Sequence, residues 1–190
     1  MLKYIPILGL PILIAMVLIR ATILRRRGIK AIVLGVTDKT DYLLIPVMLL
    51  FFYGLLSIFI DLPFPSILVK PFWNADILYI ISTLVCAISL IWFGLTLKIF
   101  GNSFRVGIDE NTKDKLITIG TFSVSRNPIY VGFIAFFIGL FMAYANILII
   151  VFLLFFISII HRQIVREEVF LTNFYGTEYS EYRKKVRRYL

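Results

Sequence analysis

Four long runs of apolar residues, separated by short polar segments, dominate this chain. Residues 4–24, 42–60 and 77–100 each approach the length of about 20 residues that a helix needs to cross a bilayer. The fourth run, residues 129–160, is too long for one upright helix, because a helix rises about 1.5 Å per residue. Split at residues 143–146, it gives two segments that are each short for a full span. The pattern therefore predicts three transmembrane helices followed by one long helix or a hairpin.

The distribution of basic residues favours the hairpin over one long helix. Of the 20 Lys and Arg residues, seventeen fall in residues 25–41, 98–126 and 161–190. Cytoplasmic loops of membrane proteins carry an excess of Lys and Arg, and these segments share one side only if residues 129–160 cross twice. We predict an all-α, polytopic membrane protein with about five transmembrane helices, the last two a helical hairpin, plus a C-terminal amphipathic helix. Its N-terminus would lie outside and its C-terminus in the cytoplasm.

The composition supports this class of protein. Hydrophobic residues make up 60% and charged residues 16% of the 190, and the mean hydropathy is +0.93. A soluble domain is nearer half apolar and a quarter charged, which excludes a disordered chain or a typical water-soluble enzyme. The net charge of +9 is scattered among apolar runs, so we assign it to topology and anionic headgroups rather than to nucleic acid. We expect one domain, with three spans in residues 1–100 and the polar loop, hairpin and C-terminal helix in residues 101–190.

The chain offers few soft ligands and no known nucleotide-binding loop. Cys86 is the only cysteine and His161 the only histidine, so neither an internal disulfide nor a metal site is expected. The glycines never form G-x-G-x-x-G, which argues against a Rossmann-type site but permits a cofactor between helices. No small-residue cleavage site follows the first apolar run, so we expect that it is not a removable signal peptide.

The predicted C-terminal helix carries a carboxylate on its apolar face. At about 100° per residue, residues 161–175 separate a basic face that holds Arg162 from an apolar face. Glu167 falls inside the apolar arc, with Gln163 one turn before it, whereas Glu168 falls at the edge and is expected to be half-solvated and without a role. A carboxylate on the buried face of a membrane helix is costly unless paired, so Glu167 is a functional candidate. A structural pair with a Lys or Arg of another segment is the alternative.

A second polar segment, Arg-Asn-Pro-Ile-Tyr at residues 126–130, precedes the hairpin. Asn is a preferred N-cap and Pro a preferred first helical residue, so Asn127 and Pro128 would start the fourth helix. On this interpretation Arg126 is an anchor on the inner side and Tyr130 an interfacial aromatic residue.

These segments resemble a known family. The first motifs are Leu-Ile-Thr-Ile-Gly-Thr-Phe at residues 116–122 and Arg-Asn-Pro-Ile-Tyr-Val-Gly at residues 126–132. The later ones are Arg-Glu-Glu at residues 166–168, Phe-Tyr-Gly-Thr-Glu-Tyr-Ser-Glu-Tyr-Arg at residues 174–183 and the closing Val-Arg-Arg at residues 186–188. In this order they resemble the membrane-embedded isoprenylcysteine carboxyl methyltransferase family, to which phospholipid N-methyltransferases are related. The resemblance begins near Gly101; the first hundred residues match only as hydrophobic spans.

The resemblance implies S-adenosyl-L-methionine (SAM) as the cofactor, held at the cytoplasmic side. Its amino group would meet Glu167, and the remaining cofactor-binding residues would be Leu116, Ile117, Phe122, Asn127, Pro128, Ile129 and Tyr130. Three positions depart from the family pattern: Asn127 stands where His is common, Phe122 where Tyr is usual, and Gln163 where an arginine tends to meet the substrate carboxylate. Arg162, one residue away, is the candidate to replace that arginine.

We therefore expect a SAM-dependent methyltransferase that acts on a lipophilic acceptor, first of all an isoprenylcysteine-type carboxylate. Glu167 and Arg162 are the catalytic candidates, and Arg162 and Gln163 the substrate-binding ones. A carboxylate acceptor needs no general base, and no convincing base is visible in the sequence. The acceptor would be a lipid or prenylated molecule that enters from the bilayer, and no obligate protein partner is evident. Phospholipid N-methylation is one alternative, and a non-enzymatic membrane subunit or small transporter is another.

Overall fold

The computed structural model describes residues 2–29, 42–60, 62–101 and 115–190. Within these ranges the protein is helical and has no β-sheet; Ser125 and Arg187 form an isolated backbone bridge. The α-helices in the described ranges are α1 (Ile5–Arg26), α2 (Leu44–Leu56), α3 (Ser66–Val69), α4 (Asp76–Phe100), α5 (Pro128–Tyr144), α6 (Ile147–Tyr175) and α7 (Thr177–Lys185). A 3₁₀ turn, Gly120–Ser123, lies shortly before α5.

The apolar helices confirm an all-α, polytopic membrane protein. In the described ranges, three helices are long and apolar enough to cross a bilayer: α1 with its preceding turn, α4 and α6. The helices α2, with 13 residues, and α5, with 17 residues, are apolar but shorter. Asp41 and Asp61, the acidic residues beside the predicted second span, lie outside the described residues, as do residues 30–40 and 102–114.

The predicted hairpin is present, with α5 and α6 joined at residues 145–146. The Asn146 side chain caps α6 by accepting a hydrogen bond from the Ile149 amide at 2.9 Å. Residues 161–175 are helical as expected, but they continue α6 rather than forming a separate helix. No glycine or proline interrupts α6, which rises over about 44 Å before Gly176, at φ +58°, ends it. One continuous helix, α6, therefore contains both the apolar second half of the hairpin and the polar turns that follow it.

Hydrogen bonds place the hairpin turn and the N-terminus at the same end of the helices. The Phe72 amide donates to the Ala145 carbonyl at 2.7 Å, and the Tyr144 hydroxyl donates to the Lys3 carbonyl. The last turns of α6, with α7 and the loop before α5, lie at the opposite end. This arrangement agrees with a chain that crosses twice between residues 129 and 160. The assignment of the second end to the cytoplasm stays a prediction from the loop charges.

The closest helix packing joins α4 to α5. Gly139 on α5 lies so near α4 that its carbonyl accepts a 2.7 Å hydrogen bond from the Ser82 hydroxyl. A Cβ atom at position 139 would stand 2.7 Å from Cys86 Sγ and 3.2 Å from a Val85 methyl carbon. Because Cys86 is buried and its short side chain has little room to turn away, glycine is needed here for contact between the two helices.

We expect Gly139→Ala to destabilise the protein by about 1–3 kcal/mol, the usual cost of overpacking a core. The measurement is the free energy of unfolding in detergent. Gly94→Ala is the matched control, because a Cβ there would meet only the terminal methyl of Met16, at 3.0 Å, and a flexible methionine can move. Equal losses in the two variants would contradict close packing at Gly139.

Candidate active site

A cavity of about 470 Å³ opens among α1, α2, α5, α6 and α7, a volume typical of small-molecule sites. It brings together residues that are far apart in the sequence. All eight residues expected from the resemblance to hold a cofactor line it: Leu116, Ile117, Phe122, Asn127, Pro128, Ile129, Tyr130 and Glu167. The structure thus gathers these residues around one space, and their individual roles stay predictions.

The cavity has a polar end and a long apolar part. Among the described residues that line it, the charged ones are Lys115, Arg126 and Glu167, all at the end of the bundle near α7. From there the cavity runs between the helices for about 15 Å, the rise from Glu167 to Phe156 along α6. Its apolar walls include Leu10, Leu13, Ile14, Val17, Leu18, Met48, Phe52, Phe133, Phe137 and Phe156. Such a space suits a ligand with a polar head and an apolar tail.

Glu167 accepts two hydrogen bonds from neutral groups. The Tyr130 hydroxyl donates to Glu167 Oε1 at 2.6 Å, and Gln163 Nε2 donates to the same oxygen at 3.0 Å. No lysine or arginine in the described part of the chain forms an ion pair with this carboxylate. These contacts fix the side chain at the cavity wall.

Glu168 has a different environment, and the expectation that it is half-solvated is wrong. The residue is 4% exposed and lies between two guanidinium groups. Arg126 donates to Oε1 from Nε at 3.1 Å and from Nη2 at 2.8 Å, and Arg188 makes the matching pair of bonds to Oε2 at 3.1 and 2.8 Å. Each arginine thus donates two hydrogen bonds to one oxygen of the carboxylate, and hydrogen bonds between charged groups are stronger than those between neutral groups.

Helical periodicity alone could not reveal the burial of Glu168. The sequence offered one indirect signal, the apolar Ile164 one turn earlier on the same side of α6, and the structure shows that Ile164 is fully buried. The partners that bury Glu168 come from the loop before α5 and from the end of the chain, so the contact is tertiary.

Asn127 precedes α5 as predicted, but its side chain forms no cap. Pro128 is the first residue of the helix, and no helical amide donates to the Asn127 side chain. The Nδ2 atom donates instead to the Arg188 carbonyl at 3.1 Å and to Glu168 Oε1 at 3.4 Å. On the other side, the Trp92 indole donates to the Pro128 carbonyl at 2.8 Å. The start of α5 is therefore held by tertiary hydrogen bonds.

The two predicted substrate-binding residues do not line the cavity. Gln163 is connected to the cavity only through its hydrogen bond to Glu167, and Arg162 is exposed. Their assignment to substrate stays a prediction.

Sequence reasoning did not assign the aromatic and apolar side chains of α6 and α7 that complete the wall: Phe170, Leu171, Tyr175, Tyr179 and Tyr182. The available signal was the four-residue spacing of Leu171 and Tyr175 on α6 and the three-residue spacing of Tyr179 and Tyr182 on α7, since each spacing places a pair on one side of its helix. The Tyr182 hydroxyl donates to the Phe122 carbonyl at 2.6 Å, and burial raises the pKa of Tyr182 to about 12. The hydroxyl therefore remains a donor at neutral pH and connects α7 to the cavity loop.

Comparison with known proteins gives matches to one family. A family model described as phospholipid methyltransferase matches residues 72–178. The chain is 35% identical over 89 residues to a protein-S-isoprenylcysteine O-methyltransferase of Schizosaccharomyces pombe, a match that covers 45% of this chain and 38% of the relative. It is 36% identical over 89 residues to a probable protein-S-isoprenylcysteine O-methyltransferase of Oryza sativa subsp. indica, with 45% and 47% covered. The chain thus matches less than half the length of these relatives, and no solved structure matches it.

Proposed function

Because the chain belongs to the phospholipid methyltransferase family, we propose that it is a membrane-embedded, SAM-dependent methyltransferase with a lipophilic acceptor. One observation carries the proposal: a single cavity joins the eight residues of the expected cofactor site to an apolar space between the helices. A polar donor and an apolar acceptor could then meet at the boundary between the two parts.

The chemistry of the polar end fits the cofactor. The carboxylate of Glu167 suits the ammonium group of the methionine moiety, because Tyr130 and Gln163, its hydrogen-bond donors among the described residues, are neutral. Phe122 and Tyr130 supply aromatic surface, and the non-helical backbone at Leu116 and Ile117 offers hydrogen-bonding groups at the cavity wall. When bound, SAM supplies an electrophilic methyl group on a sulfonium. The residues of this chain would therefore act by aligning the acceptor and excluding water rather than by activating the donor.

The apolar part fits an acceptor from the bilayer. Ile14 and Leu18 line the cavity and remain 39% and 55% exposed, which supports an opening of its apolar part at α1. An isoprenylcysteine-type carboxylate is our preferred acceptor, because it is already ionised and needs no general base. Two of the relatives above bear the name of an enzyme with this substrate. Phospholipid N-methylation is the second candidate, favoured by the description of the family model.

Methyl-labelled SAM tests the proposal and separates the acceptors. The purified protein is incubated with the label and either an S-farnesylcysteine derivative or vesicles of phosphatidylethanolamine. We expect label on the farnesylcysteine as a base-labile methyl ester. Base-stable label on phosphatidylethanolamine would support the second candidate. Absence of label from every lipid-extractable fraction would overturn the methyltransferase proposal.

Val17→Trp is expected to impair the acceptor selectively. Val17 is half-buried on α1 and lines the apolar part, so an indole there would exclude at least two methylenes of an acceptor tail. At about 0.8 kcal/mol for each buried methylene, kcat/KM for the farnesyl acceptor should fall about tenfold. Affinity for S-adenosylhomocysteine should stay unchanged. Ile19→Trp is the control on the same helix, since Ile19 is 60% exposed and lies outside the cavity wall; similar losses in both variants would contradict this path for the acceptor.

A further inference from the structure

The last residues of the chain run beside the loop that leads into α5. We call residues 186–190, which follow α7, the C-terminal strap. The Arg126 amide donates to the Arg187 carbonyl at 2.9 Å, within the isolated bridge between Ser125 and Arg187. The Ser125 hydroxyl donates to the Arg188 carbonyl at 3.3 Å. The strap therefore fixes the loop backbone immediately before the cavity residues Asn127 and Pro128.

Side chains strengthen the same junction. Arg188 in the strap and Arg126 in the loop bind opposite oxygens of Glu168 on α6, so one buried carboxylate joins three segments. Arg126 Nη1 also donates to the carbonyls of Arg183 and Val186, each at 3.2 Å. The loop, the strap and α6 are thus joined by ion pairs to Glu168 and by hydrogen bonds from Arg126 to backbone carbonyls.

The strap also packs against the hydrophobic core through Tyr189. It has no helix of its own, and Leu190 at its end is 67% exposed. Tyr189 is held through its hydroxyl, which lies 2.7 Å from His161 Nδ1 on α6. Arg188 does not line the cavity, so any effect of it on a ligand must pass through Glu168, Arg126 and Asn127.

We propose that the C-terminal strap is a positioning element for the methyl-donor site, with Arg188 as its principal positioning residue. By pairing with Glu168 and by presenting its carbonyl to Asn127, Arg188 holds residues 126–130 in the shape that forms one wall of the cavity. This inference rests on the proposed function.

The test compares Arg188→Ala and Arg188→Lys in the full-length protein with Lys184→Ala. Lys184 is the matched control because it pairs with Glu181 on the exposed side of α7, where both side chains are more than half exposed. Three quantities are measured: the affinity for S-adenosylhomocysteine, amide hydrogen exchange in residues 122–127, and the thermal unfolding transition.

We expect Arg188→Ala to weaken S-adenosylhomocysteine binding by about tenfold, because residues 126–130 would then adopt the binding-competent shape in only about a tenth of the molecules. Exchange in residues 122–127 should become faster while unfolding remains cooperative. Arg188→Lys keeps the charge but not the bidentate geometry, so it should restore affinity in part. Lys184→Ala should match the wild type in all three measurements.

Wild-type affinity in Arg188→Ala would overturn the proposal, as would unchanged exchange in residues 122–127. If Arg188→Ala and Arg188→Lys lost affinity only together with cooperative unfolding, Arg188 would serve overall stability and the positioning role would be wrong. Failure of the wild-type protein itself to bind S-adenosylhomocysteine would refute the proposed function. The exchange comparison would then decide separately whether the strap holds the loop.

Discussion

Glu168→Gln is expected to destabilise the protein by about 3–5 kcal/mol, the usual cost of breaking a buried ion pair by removing one charge. The glutamine amide can accept fewer of the four guanidinium hydrogen bonds and leaves two cations facing each other. Most of the loss should come from Arg126, whose side chain is 9% exposed, because Arg188 at 34% exposed can turn to solvent. The measurement is the free energy of unfolding in detergent.

Glu181→Gln is the matched control for this prediction. It removes the carboxylate of the exposed Glu181–Lys184 pair on α7, 2.6 Å apart, and should change stability by less than about 1 kcal/mol. A Glu168→Gln protein as stable as this control would show that the two-arginine arrangement contributes little to the fold.

Glu167→Gln is expected to lower kcat/KM for the methyl donor by about ten- to a hundredfold. Glutamine retains the oxygen that accepts from Tyr130 and Gln163, so the side chain can stay in place while its charge is lost. A hydrogen bond to a charged group contributes about 1.5–3 kcal/mol, which gives the size of the expected effect. Because Glu167 is assigned to the amino group of the donor and not to the transferred methyl, KM should rise while kcat changes little.

Initial rates over a range of donor concentrations check this prediction, with Glu178→Gln as the control. Glu178 is an exposed carboxylate at the start of α7 and does not line the cavity. A fall in kcat with unchanged donor KM would indicate that Glu167 takes part in the chemistry at the acceptor rather than in cofactor binding.

The main features of the fold could be predicted from local signals in the sequence. The hairpin follows from the side on which Lys and Arg accumulate, and the turn at Asn146 coincides with an N-cap residue. The position of Glu167 also follows from local geometry, because the angular spacing of α6 places it among apolar residues. The structure directs the same face toward the cavity through Phe170 and Leu171.

The contacts around Glu168 could not be predicted in this way. They depend on Arg126 and Arg188, which are distant in the sequence and meet only when α7 turns the chain back toward the loop. The same tertiary contact redirects Asn127 from the capping role that its residue type favours. The continuous α6 was missed for a related reason: a change from an apolar to an amphipathic pattern indicates a new environment but does not by itself break a helix.

Calorimetry with S-adenosylhomocysteine tests whether the cavity beside Glu167 is the cofactor site. The wild-type protein in detergent should bind S-adenosylhomocysteine with micromolar affinity, and Glu167→Gln, with an unchanged melting transition, should bind at least about tenfold more weakly. Absence of binding to a wild-type protein shown to be folded would contradict the assignment of this cavity to the cofactor. So would equal affinity in the Glu167→Gln variant.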